Sequence, residues 1–147
     1  MTFDQLAQKL ESSPSKSFGQ GASEHDLQAA NARLGVNLGG GYRRFLERFG
    51  WGGVGSFELY GLGVDVPPYL DLVAATESER TQMSPALPSH LIPIMNDGGG
   101  NLYCLDSSKA GEPMIVFWNH TAGEEQEPEP VASDFVSWLE ARLASSD

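Results

Sequence analysis

The residues of this sequence best suited to covalent chemistry are Cys104, His120 and Asp106, which can be written as a nucleophile, its base and an orienting carboxylate. Such a set would serve a small hydrolase. Against it, Cys104 falls in the alternating stretch Leu102-Tyr103-Cys104-Leu105, where a small buried hydrophobe is the ordinary occupant. No basic residue lies near it in sequence to lower its pKa. We therefore expect Cys104 to have no chemical role and the protein not to be an enzyme.

Metal and cofactor chemistry find as little support. His25, His90 and His120 are far apart and none belongs to an HExxH or comparable ligand spacing. A single cysteine excludes an internal disulfide and any Cys-based metal cluster. Asp97, Asn101 and Asp106 lack the DxDxDG spacing of a calcium loop, and the first two are common turn formers. Neither glycine triplet, Gly39–Gly41 nor Gly98–Gly100, fits a phosphate-loop or dinucleotide pattern. The first precedes a helix start, which can bind an anion but is more simply a flexible way into the helix. The second reads as a turn needing positive φ. No metal and no cofactor is expected.

Charge is the more informative feature. Twenty acidic against nine basic residues leave a net charge of -11. Nucleic acid and anionic membranes are thereby disfavoured as direct ligands, since both are bound through clustered Lys and Arg. Arg33, Arg43, Arg44 and Arg48 do cluster, but as the solvated face of a helix more simply than as an anion patch. Between Ala110 and Asp134 there are six acids and no Lys or Arg. Glu124, Glu125, Glu127 and Glu129 form the densest part of this run. With Glu112, and with Asp97 in the preceding turn, they are the candidate partner-binding residues. The bland reading is a solvated, mobile loop. The functional one is an electrostatic landing surface for a basic partner.

The elements that must position these groups follow from periodicity and turn chemistry. The chain's 147 residues suit one domain, and 40% hydrophobic residues exclude disorder. Thr2 and Gln5 make a capping box for a first helix with Phe3, Leu6, Ala7 and Leu10 on one face. Ser12–Ala22 reads as a linker. Ser23 and Asp26 open a second helix closed by Gly35, and Tyr42, Phe45, Leu46 and Phe49 stripe a third that ends at Gly50. Ser56–Tyr60 alternates as a strand, and Tyr69 to about Arg80 returns to helical spacing. Three strands follow at Leu91–Met95, Leu102–Leu105 and Met114–Trp118, the first two joined by a hairpin turn. Glu124–Pro130 reads as a polar loop. Ser133 is placed as the cap of a last helix bearing Phe135, Trp138, Leu139 and Leu143. Strands joined by short turns run antiparallel, so the fold class is α+β, a mainly antiparallel sheet with helices packed against it. No signal peptide or membrane-length apolar run is present, which predicts a cytoplasmic protein.

In this order the residues resemble the SUKH superfamily, which joins fungal cell-wall-assembly regulators of the Smi/Knr type to many bacterial immunity proteins. Leu34-Gly35-Val36-Asn37-Leu38 followed by Tyr42, Phe45 and Leu46 is similar to its signature, with Gly50-Trp51-Gly52-Gly53 as the glycine-rich turn. Leu91–Ile94 with Asp97–Asn101 and Tyr103–Asp106 is similar to its central hairpin, and Met114–Trp118 and Ser133–Leu139 to its last strand and helix. A glycine stands after Leu38 where the family carries proline. The matched positions are mostly apolar or glycine, so they report a fold and not a site. The resemblance covers about residues 23–143 and implies a SUKH-like domain over 23–147, which with the helix and linker read over 1–22 makes one globular unit, and toxin neutralisation by tight binding. It implies a cognate toxin domain as partner, a basic nuclease if the charge has this purpose. A regulatory scaffold binding a housekeeping partner is the alternative; a small hydrolase is the third.

Overall fold

The computed structural model describes residues 1–145, so the last two positions of the expected domain 23–147 lie outside the described residues. Five helices and seven strands alternate in the order α1(Phe3–Glu11), β1(Lys16–Phe18), α2(Glu24–Leu34), α3(Gly40–Arg48), β2(Gly52–Val54), β3(Phe57–Leu59), α4(Leu72–Thr81), β4(Leu91–Asn96), β5(Leu102–Asp106), β6(Ile115–Trp118), β7(Glu129–Ala132), α5(Phe135–Ser145). The strands form two antiparallel sheets, β1-β2-β3 and β4-β5-β6-β7. The α+β expectation holds.

Local signals start the first two helices where the sequence says they should. Both reciprocal capping boxes are made, Thr2 with Gln5 and Ser23 with Asp26, which satisfies two otherwise orphaned N–H groups at each start. Gly35 closes α2 at φ 68°, and the carbonyl of Leu34, the last residue of the helix, accepts from the Arg80 guanidinium (2.8 Å). A cation at this end also complements the helix dipole. Asp71 caps α4 through the Val73 and Ala74 N–H groups. The helix therefore begins at Leu72, and Tyr69 lies before it on a short 3-10 turn, Pro68–Leu70.

Four expectations need correction. Lys16–Phe18, inside the stretch read as a linker, pairs with β2. Gly52 and Gly53, read as a turn, belong to that central strand. Glu129 and Pro130, read as the end of a polar loop, form the edge strand β7 opposite Phe117 and Val116. In each case ladder hydrogen bonds to a distant segment override weak local propensity. The cap of α5 is Asp134 and not Ser133: Asp134 accepts from the Ser137 N–H at 2.7 Å, the three-residue spacing that a cap requires.

The strand alternation divides the interior. Tyr103, Leu105 and Ile115 face the main core, which also holds Phe45, Phe135 and Trp138. Leu102, Cys104, Val116 and Trp118 face the other way and are covered by Leu87, from the chain leading into β4. Period two assigns one set of side chains to each face. The two sheets abut where Tyr60, just past β3, donates its N–H to Ile94 of β4 (2.9 Å). Tyr42 of α3 fastens the same place, its buried hydroxyl donating to the Tyr60 carbonyl at 2.6 Å.

Candidate partner-binding surface

Antiparallel topology decides which acids can act together. The β4–β5 hairpin and the β6–β7 connection leave the four-stranded sheet at the same end, whereas the β5–β6 connection leaves at the opposite one. Asp97 and the four glutamates after Gly123 are thus gathered, and Glu112 is set apart. The two gathered loops touch: Asn101 Oδ1 accepts from the His120 N–H (3.1 Å) and lies 2.6 Å from His120 Nδ1.

Each loop is shaped by its own backbone. In the hairpin, Asp97 Oδ1 accepts from the N–H groups of Gly99 and Asn101. In the second loop, half-buried Gln126 donates to the carbonyls of Asn119 (2.6 Å) and Gly123 (3.1 Å) and accepts from the Asn119 N–H. Gln126 points inward, and Glu124, Glu125 and Glu127 on either side of it are exposed, as is Glu129 on β7. Among the described residues none of these four glutamates, nor Asp97, forms an ion pair.

Four of the nine basic residues are engaged with other acids. Arg33 pairs with Glu77 (2.9 Å), Arg43 with Glu24 (2.8 Å), Arg44 with Asp4 (3.2 Å) and Arg48 with Glu11. Pairs this exposed contribute little stability. They do join α1, α2, α3 and α4.

Glu112 is used inside the molecule. Its carboxylate accepts the Gly41 N–H with both oxygens, at 3.1 and 3.2 Å, at the start of α3. The anion at this glycine-rich helix start is therefore the chain's own, placed where unpaired N–H groups favour negative charge. Glycine is needed beside it, because Gly40 has φ 65° and an added Cβ would stand 2.2 Å from a Glu112 oxygen. Glu112→Ala should lower stability by about 1 kcal/mol, read as a small fall in the denaturation midpoint. An unchanged midpoint would show the contact to be idle.

The hydrolase arrangement is not assembled. His120 turns its Nδ1 to Asn101, Asp106 accepts from the Ser108 N–H and hydroxyl, and Cys104 is fully buried. Burial, and secondarily the nearby charge of Glu79, push the Cys104 thiol well above its ordinary value, away from the thiolate that a nucleophile needs. His25 and His90 are both exposed. No helix among the described residues is long and apolar enough to cross a membrane.

One feature of this end escaped the sequence reading. A cleft of about 390 Å³ opens between β3, the turn at Tyr69, the Asp97 hairpin and the end of α5. Tyr69 carried no signal because its spacing to Leu72, Val73 and Thr76 made it part of an apolar helical stripe. Residues 2–144, nearly the whole chain, match the SUKH_5 family model, described as SMI1-KNR4 cell-wall.

Proposed function

This chain belongs to the SUKH family of SMI1-KNR4 cell-wall type, and from that premise we propose that it is an immunity protein which neutralises a bacterial toxin by binding it. The binding occludes the toxin's active site or its substrate path, and the protein acts in the cytoplasm as a binder and not as an enzyme. The observation that carries the reading is the gathering of Asp97, Glu124, Glu125, Glu127 and Glu129 at one end of the four-stranded sheet, none of them in an ion pair among the described residues. Such a surface suits a basic partner, as a nuclease domain that must itself hold nucleic acid would be. Glu112, at the opposite end and already engaged, is left out of it.

The test is kinetic. Association and dissociation are measured, at low and high salt, between this protein and whichever toxin domain its neighbouring genes prove to encode. Changing Glu124, Glu125, Glu127 and Glu129 to glutamine should slow association at low salt by roughly tenfold or more and flatten its salt dependence, because exposed charges act mainly by steering. Folding should be unaffected, since all four side chains are exposed and unpaired. Equal kinetics for the two proteins would return the segment to a solvated loop. Absence of any complex with the toxin would remove the immunity reading in favour of a scaffold.

A further inference from the structure

We infer that the cleft between β3 and the Asp97 hairpin is a pocket for an arginine side chain of the protein partner. Alone among the described aromatic side chains, Tyr69 is exposed, at 65% of its surface. Its hydroxyl donates to Glu58 Oε2 at 2.8 Å, so ring and carboxylate are held together with no partner present. Across the cleft stands Asp97, its Oδ1 used by the hairpin backbone and its Oδ2 without a hydrogen bond among the described residues. The walls below them include Phe57 and Met95, both nearly buried and apolar.

These features select one kind of occupant. An apolar wall beneath a rim of two carboxylates and an aromatic face suits a side chain with an aliphatic stem and a cationic head. Guanidinium fits better than ammonium, being planar, able to fork across two acceptors and able to stack on a ring. The volume lies at the small end of the range for ligand sites and admits one long side chain with room to spare. Arg142 also lines the cleft, but its guanidinium is engaged on other rings, its carbon 4.6 Å from the centre of the Tyr103 ring and 5.8 Å from that of Trp138. Asp97 makes the cleft continuous with the acidic end of the sheet.

The inference rests on the binder reading only in taking the partner to be a protein. Its test needs no toxin, so the cleft can fail while the kinetics above stand, and the reverse. The full-length ¹⁵N-labelled protein is titrated at low salt with the capped tripeptide Gly-Arg-Gly, its citrulline counterpart, and Gly-Glu-Gly. The arginine peptide should shift the amide signals of Glu58, Tyr69, Asp97 and Gly98 saturably. Citrulline keeps the shape but not the charge, and should bind at least about fivefold more weakly. Tyr69→Ala and Glu58→Gln should each weaken arginine binding by roughly threefold to fivefold, with the rest of the spectrum unchanged. Absence of saturable shifts, shifts spread along Glu124–Glu129 instead, or binding by both variants as tight as that of the unmodified protein would overturn the proposal. So would a Gly-Glu-Gly peptide that bound at Arg142.

Discussion

Phe45→Ala is expected to lower the unfolding free energy by about 3–5 kcal/mol, a third or more of an ordinary domain's stability. Phe45 has no exposed surface, and its ring lies 5.6 to 6.3 Å from those of Phe18, Tyr42, Phe49 and Phe135. These neighbours come from β1, α3 and α5, so truncation leaves a cavity at the junction of three elements that cannot collapse together. Chemical denaturation measures the loss. Phe45→Leu, which keeps much of the apolar volume, should lose far less. An unchanged midpoint for Phe45→Ala would remove this residue from the core.

Gly61→Ala should cost on the order of 3 kcal/mol, although it adds only one methyl group. An added Cβ would stand 1.7 Å from the Gly50 carbonyl oxygen and 2.8 Å from Trp51 Cα, and backbone cannot rotate out of the way as a side chain does. The strands must part, straining the bond from the Leu62 N–H to the Gly50 carbonyl (2.8 Å). The bonds that tie Gly61 to Leu70 and Leu72, each 2.9 Å, are strained with it. Gly39→Ala is the control: its backbone has negative φ and the nearest atom to an added Cβ is 3.9 Å away. Equal losses at the two positions would mean that close approach is not what requires glycine at Gly61.

These two sites also mark what the sequence made legible. Phe45 was readable because a helix repeats its face every three to four residues, and a stripe of aromatics between polar positions has one explanation. The same holds for the capping boxes and for the alternation in β5 and β6, whose signals span fewer than eight residues. Strand β2 was not readable, since Gly52-Gly53-Val54 has poor strand propensity and is held by partners on both sides. Glycine is required at Gly53 because an added Cβ would lie 1.9 Å from the Phe57 carbonyl oxygen.

The candidate surface divides in the same way. Its acids were evident from charge alone. That Asp97 joins Glu124–Glu129 while Glu112 does not depends on strand order. The contact of Glu112 with Gly41 crosses seventy-one positions, and that of Tyr69 with Glu58 needs β3 folded against the turn. Neither leaves a local pattern.

Strand β7 bounds the four-stranded sheet and bears Glu129 and Pro130. Proline has no N–H to offer a newcomer, and Glu129, next to the glutamates of the preceding loop, repels a second copy of the same margin. This edge is therefore a poor template for pairing sheet to sheet. The same margin offers an incomplete ladder to a ligand that recognises by lending a strand. Whatever docks there relies mainly on its side chains, so that exchanging a few residues on either face could retune selectivity between related partners while the scaffold's hydrogen-bond ladder stays as it is.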